Sequence, residues 1–360
     1  MGPWSSTDPF TRPGKTERGH KVHSHRMRVT HIIRFDAGLY RGGGEIKAER
    51  TREALSRRGV DVQVYTPLQN EFGDIVHFFG AMSYYWTVAE YCLRRKVPYV
   101  CSPIFVTPRT PRKLKWRAFR QRYIEFKGVG NPRKLLTNAQ ETYYQTEIEK
   151  RNALAFFGKD IGRPVILANG IEPRFSQGAP DLFRSKFGIW KPFVLQASVF
   201  NPNKHQLELI QAMRGSDWDL VLLGRSHNEA YVEACKKAAG PNVHFLGNIP
   251  HDDPLLPAAY AAAELFCLPS SDDIFANSAM EAAVAGCRLV LGDSWGGQEI
   301  YGEWATWVRP GDAAKIKTSI ASARARNHDA IRQAEHFLGA YSWDVVAERL
   351  KARYEAILSG

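Results

Sequence analysis

Cysteine is scarce. The 360-residue chain holds five, an odd number with none of the paired spacings of a metal knuckle, so a disulfide framework is excluded and a reducing, cytoplasmic compartment is expected. Long hydrophobic runs are missing too. No stretch approaches the roughly 18 apolar residues of a membrane span, and residues 1–26 lack the apolar segment of a secretory signal. They read as a disordered tail, in which His20, His23 and His25 have no scaffold to hold a metal. Acidic residues are in deficit, 37 against 49 Lys and Arg, for a formal charge of +12. That surplus is local: it lies in the tail and between Arg109 and Lys134, where ten cations face Glu125 alone. No RNA- or DNA-binding motif accompanies the basic segment, and nucleic acid is not expected as a partner.

What is present is a chain with 44% hydrophobic residues, long enough for two domains. Its organising stretch runs from Glu264 to Glu299. Leu265–Leu268 is a short apolar run stopped by Pro269, and Ser270–Asn277 is a polar loop. Ser278–Ala285 is Ala-rich and helix-favouring, Gly286 stands where a helix end wants a left-handed residue, and Leu289–Leu291 returns as a buried strand. A strand–loop–helix–strand unit of a parallel sheet places its loop and helix N-terminus outside the carboxyl end of a strand, where α/β sheets bind ligands. Helix N–H groups and the helix dipole there favour an anion such as a diphosphate.

This stretch resembles the signature of family-4 retaining glycosyltransferases of the GT-B fold. Pro269, Ser270, Phe275, Glu281, Ala282, Gly286, Gly296, Gly297 and Glu299 match it; Asp273 stands for the family's first Glu, and Ile274 and Ala276 for two glycines. The resemblance implies an α/β protein of two Rossmann-like domains facing a cleft. Residues 27–172 would form the acceptor-side domain, residues near 172–188 the linker and 190–344 the nucleotide-sugar domain, with a helix over 345–358 crossing back. It gives Glu281 the ribose hydroxyls and Asp273 the hydroxyls of the donor sugar. Ser278-Ala279-Met280-Glu281 also fits a capping box, so Glu281 has a second, local reading.

The order of elements agrees with two such domains. Arg28–Phe35 reads as a strand, Asp36–Gly44 as a loop, Glu45–Arg58 as a helix closed by Gly59, and Val60–Tyr65, Asp74–Phe79, Pro98–Ser102, Lys134–Asn138 and Val165–Ala168 as further strands. Gly43 and Gly44, within Gly42-Gly43-Gly44-Glu45, let a backbone approach a ligand closely and match the family's glycine loop. His77 reads as a core histidine. The family's usual histidine near the end of the next strand is absent from Cys101-Ser102-Pro103-Ile104-Phe105. Beyond the strand Phe193–Ala197, Ser198 and Val199 stand where the family has Gly-Arg, while Lys204 keeps the place of its phosphate-binding lysine. Asp217-Trp218-Asp219 precedes a strand instead of following one, which favours a surface turn over a metal site. Arg225 and Asn248 follow later strand ends.

The expected site is therefore Lys204, Asp273 and Glu281 as catalytic groups. Gly43, Gly44, Ser198, Arg225, Asn248, Phe275, Ala276 and Asn277 would hold the donor with them, and no metal or further cofactor is expected. A second informative stretch is Arg112–Lys127. Trp116, Phe119, Tyr123 and Phe126 recur on one helical stripe edged by Lys113, Arg120 and Lys127 on one side and Lys115 and Arg122 on the other. An apolar stripe between cations suits an anionic membrane surface, and the alternative is a core-facing stripe with a solvated basic side. The expected function is retaining sugar transfer from a nucleotide-diphosphate sugar to a glycan or lipid-linked acceptor, in the cytoplasm or at its membrane face. The rival reading is a weak or inactive homologue serving as a scaffold, motivated by Val199, Ile104 and Asp273 departing together. A nucleotide-sugar epimerase is disfavoured, because such proteins lack the Pro269–Glu281 pattern.

Overall fold

The computed structural model describes residues 26–38, 43–68, 71–105, 132–226, 228–273, 275–293 and 296–360. The basic aromatic stripe (Lys113, Trp116, Phe119, Arg120, Tyr123, Lys127) and the tail before residue 26 lie outside these residues.

The first domain alternates β1 (Arg28–Ile32), α1 (Gly43–Arg57), β2 (Asp61–Val64), β3 (Ile75–Phe79), α2 (Tyr85–Arg95), β4 (Tyr99–Ser102), α3 (Pro132–Thr137), β5 (Glu141–Tyr144), α4 (Glu147–Phe157) and β6 (Arg163–Ile166). All pairings are parallel, in the order β2-β1-β3-β4-β5-β6. β3 and β4 are buried along their whole length, as expected of central strands covered on both faces.

The second domain begins with α5 (Pro180–Phe187), then β7 (Phe193–Ala197), α6 (Gln206–Ala212), β8 (Asp219–Leu223), α7 (Glu229–Ala238), β9 (Val243–Gly247), α8 (Leu255–Ala262) and β10 (Leu265–Leu268). It continues through α9 (Asn277–Val284), β11 (Arg288–Gly292), α10 (Gln298–Tyr301), β12 (Ala305–Val308), α11 (Ala313–Ala325) and α12 (Ala330–Tyr341). Its sheet is also parallel, in the order β12-β11-β10-β7-β8-β9. The last helix, α13 (Trp343–Ser359), returns to the first domain, where Trp343, Val346, Leu350 and Tyr354 join the core of α1 and β1. Arg353 on α13 makes a two-pronged ion pair with buried Glu141 on β5.

Three expectations need correction. Residues 134–138 are helical, not a strand: Pro132 opens a helical turn that buries Leu135 and Leu136, and the strand is the β-favouring Glu-Thr-Tyr-Tyr of β5. Residues 172–188 are not a free linker. Phe175 and Phe183 sit in the core of the second domain, so a 3₁₀ turn (Pro173–Gln177) and α5 belong to it. The capping box at Ser278 does not form. α9 starts one residue earlier, at Asn277, its cap position is Ala276 with no side-chain bond, and the Glu281 carboxylate accepts from Tyr260 Oη instead.

Candidate active site

Segments that follow the strands of both sheets meet at the groove between the domains, and several contacts close it, among them an ion pair of Arg50 on α1 with Asp252. Gly43 abuts Asn277 across the groove, where a Cβ would lie 3.8 Å from its Nδ2. Asn169 Nδ2 donates to Asn277 Oδ1 at 3.0 Å. The Glu299 carboxylate accepts from the backbone N–H groups of Glu147 and Ile148 at 2.6 and 3.0 Å, so it caps α4 of the opposite domain where the helix dipole favours an anion. Gly296 is needed there because a Cβ would meet Ile148 Cγ2 at 2.5 Å.

Of the three predicted catalytic residues, Glu281 lines this groove, and Lys204 and Asp273 meet on the loops that follow β7 and β10. Lys204 closes a 3₁₀ turn (Pro202–Lys204) after β7, and the turn is tied to the loop after β10: Ser271 N–H and Ser270 Oγ both donate to Asn203 O. That tie puts Lys204 Nζ 2.7 Å from each oxygen of Asp273, in a pair whose side chains are only 13% and 16% exposed. Asp273 was expected to face a sugar; here it neutralises the predicted phosphate-binding lysine. Glu281, 7% exposed, accepts from Tyr260 Oη at 2.6 Å and lies 3.4 Å from His251 Nε2. Burial works against the His251 imidazolium, but the hydrogen bond and charge of Glu281, joined by Glu172, outweigh burial and Arg174 and raise its pKa. Glu281 is thus a preoriented acceptor, with Tyr260 on one carboxylate oxygen and His251 beside the other, and each oxygen keeps acceptor capacity for a hydroxyl.

Around them the loop is under strain. Among the described residues, four non-glycines have positive φ: Lys96, Ile104, His205 and Ala276. Lys96 ends α2, Ile104 packs against Gly44, His205 follows Lys204 and Ala276 precedes α9, and backbone strain of this kind clusters at functional sites. Ala276, at φ +52°, holds a left-handed conformation where the resembled signature has glycine, and buried Tyr301 pins it by donating to the carbonyls of Phe275 and Ala276. The N–H groups of Asn277 and Ser278 open α9 and have no acceptor within the helix.

The remaining predicted residues divide. Asn277 and Gly43 line the groove, and Gly44 faces Ile104, 3.2 Å from where its Cβ would be. Phe275 does not present its ring to a ligand; it is 3% exposed in the core, so only its backbone remains available. Ser198 Oγ accepts from Gln206 Nε2. Arg225 and Asn248 are exposed beyond the ends of β8 and β9. Asp217 pairs with Arg324 and Asp219 with His244, so the two aspartates do not converge on a cation. Among the described residues no group of three His, Cys, Asp or Glu gathers to hold one. His77 is a core histidine, bonded to Tyr354 Oη and Ser102 Oγ at 2.6 and 2.9 Å. Sequence reasoning missed Lys47 and His251, which line the groove, and Tyr260, which bonds Glu281 from the core; none carries a local motif, and tertiary packing alone brings them together.

Residues 182–335, most of the second domain, match the family described as Glycosyl transferases group 1. The whole fold recurs in solved structures. Sucrose-phosphate synthase from Thermosynechococcus elongatus superposes with a TM-score of 0.73 at 17% identity, covering 93% of this chain and 100% of that one. HepE from Anabaena, crystallised with UDP and glucose, gives 0.69 at 16%, covering 92% and 100%. WaaG, a glycosyltransferase involved in lipopolysaccharide biosynthesis, gives 0.64 at 16%, covering 89% and 98%. No curated protein matches the sequence. The chain has the two-domain GT-B fold. It is a glycosyltransferase, and its second domain is of the group 1 type.

Proposed function

We propose that this enzyme transfers a sugar from a nucleoside-diphosphate donor to a glycan or lipid-linked acceptor with retention at the anomeric carbon. One observation carries the reading: Glu281 and the open N–H groups of α9 stand on the second-domain wall of the interdomain groove, with the Lys204–Asp273 pair formed between the loops that follow β7 and β10 of the same domain. In that arrangement Glu281 takes the ribose hydroxyls, and the N–H groups of Asn277 and Ser278 meet the diphosphate. Lys204, once released from Asp273, offsets the charge that develops as the diphosphate leaves. Asp273, freed in the same step, is placed to accept from a hydroxyl of the donor sugar. Retention follows if the acceptor attacks from the face the diphosphate vacates, passing its proton to a phosphate oxygen, and no metal takes part. The enzyme works in the cytoplasm, and the basic aromatic segment 112–127, read from sequence, supports docking on an anionic membrane where a lipid-linked acceptor would lie.

A panel of UDP-, GDP- and ADP-sugars, followed by mass spectrometry for release of the nucleoside diphosphate and by NMR for the anomer formed, tests this. Turnover of one donor with retained configuration is the expected result. The Lys204–Asp273 pair favours one second reading, a scaffold protein whose site is locked by its own side chains. Failure of every donor to bind or turn over would establish that reading instead. Pelleting with anionic but not neutral vesicles tests the membrane arm.

A further inference from the structure

We propose that Lys47, which faces Asn277 and Glu281 across the groove, supplies the donor diphosphate with a positive charge additional to that of Lys204. The inference rests on the donor reading above and identifies a residue that reading leaves out. Lys47 lies early in α1, is 5% exposed, and its Nζ has no hydrogen-bond partner. A buried ammonium without a partner is costly, and an unfilled role is the economical physical account of it.

Nothing inside the first domain fills that role. Glu149 is the carboxylate whose charge acts on Lys47, but its two oxygens are occupied by the backbone N–H groups of Phe105 and Gln145, each at 2.7 Å. On the other side stand His31 and His77, both fully buried, with rings 5.6 Å apart. Neither is an anion; burial lowers His31 to about 3 and holds His77 well below its usual range. Burial likewise brings the Lys47 ammonium down to about 8, against the pull of Glu149. The remaining direction is the groove. Lys47 lines it together with Asn277 and Glu281 of the second domain.

The opposite wall is short of charge. Lys204 is engaged by both oxygens of Asp273, and Val199, at the end of β7, is an exposed aliphatic group. A departing diphosphate gains negative charge that a single lysine shared with a carboxylate balances poorly. A lysine from the first domain adds the missing charge only when the two domains meet, so Lys47 also couples donor binding to closure of the groove.

The test is calorimetric. UDP, GDP, ADP and the matching nucleosides are titrated against the full-length enzyme and its Lys47→Met and Lys47→Gln variants. For whichever diphosphate binds tightest, both variants are expected to bind it about 10- to 100-fold more weakly, the loss of one charge-assisted contact. The nucleoside should bind as before, and Lys47→Met should raise Tm, because an unpaired buried charge has been removed. Equal affinity of wild type and variants for the diphosphate overturns the proposal while leaving the donor reading intact. A fall in Tm with parallel weakening of nucleoside and diphosphate, or failure of both variants to fold, overturns it in favour of a structural lysine. Absence of any binding by the wild type removes the donor reading and this inference together.

Discussion

The two walls of the groove treat their charges in opposite ways. On the second-domain wall Lys204 is paired with Asp273, and Glu281 with Tyr260 and His251. On the first-domain side Lys47 Nζ is buried without a partner, and Glu149 is spent on backbone N–H groups. The first arrangement is stable when empty and has to be rearranged by a ligand. The second is costly when empty and is relieved by one. A substrate held between them exchanges an ion pair on one side for an unmet bond on the other, which limits the net cost of opening the Lys204–Asp273 pair.

The sharpest way to break this contrast is Lys204→Ala. Turnover should fall by about 10²–10³, the scale for losing a preorganised donor to a developing anion. Asp273 would be left largely buried and uncompensated, at a cost of about 3 kcal/mol in stability. Lys204→Ala/Asp273→Ala separates the two effects: chemical denaturation should show most of that stability restored, while turnover stays low. Equal losses in the single and double variants would mean the pair is not a self-compensating unit.

Next in size is the closure that brings the walls together. Gly296→Val places a branched side chain where even a Cβ would crowd Ile148 and Thr146. Turnover is expected to drop about 10- to 100-fold through misplacement of the two walls. Tm should change little, since each domain keeps its own core. Small-angle scattering should report a more open pair of domains; an unchanged envelope with normal turnover would show that the Gly296 contact is dispensable.

Glu281→Gln removes a charge from the satisfied wall and should weaken nucleoside diphosphate binding about tenfold, as one hydrogen bond to a charged group is lost. It also has a pH signature. His251 has a raised pKa in the fold, so its stabilising contribution is complete below the ordinary imidazole value of about 6.5 and fades as pH rises through the folded-state value. Because Glu281 is the main source of that rise, the stability gap between wild type and Glu281→Gln should be wider at pH 5.5 than at pH 8.5. A gap independent of pH would detach His251 from Glu281.

The same contrast explains what was legible in the sequence. Most of the second-domain wall comes from one contiguous stretch, joined by Lys204, His251 and Tyr260, so strand, loop and helix are legible in Leu265–Leu268, Pro269 and Gly286, and the fold and Glu281 in the signature. The surroundings of Lys47 come from α1, β1, β3 and α4, which are far apart in sequence, and nothing around Lys47 marks it apart from other helical lysines. Three misreadings have equally local causes. Leu135 and Leu136 form an apolar pair too short to tell helix from strand. Phe175 and Phe183 show their core role only once α8 packs on them. The capping-box alternative for Glu281 fails because pattern alone does not show Tyr260, 21 residues away, arriving beside its carboxylate.

The smallest expected effect sharpens the account of strain. Ala276 sits at φ +52°, a conformation that costs an L-residue about 1–2 kcal/mol and costs glycine nothing comparable. Tyr301 holds it there through the carbonyls of Phe275 and Ala276, so the backbone is fixed by its neighbours and not by the alanine. Ala276→Gly should therefore keep the same geometry and raise stability, less what is lost to greater freedom of the unfolded chain and to the methyl's packing on the core. A net gain of about 0.5–1 kcal/mol in chemical denaturation is expected, with nucleotide affinity unchanged because the N–H groups of α9 stay in place. A loss of stability would mean that the methyl's packing outweighs the strain. A gain accompanied by weaker nucleotide binding would mean that Ala276 restricts the loop to the conformation the diphosphate needs, and that the strain on this wall serves binding as the buried lysine does on the other.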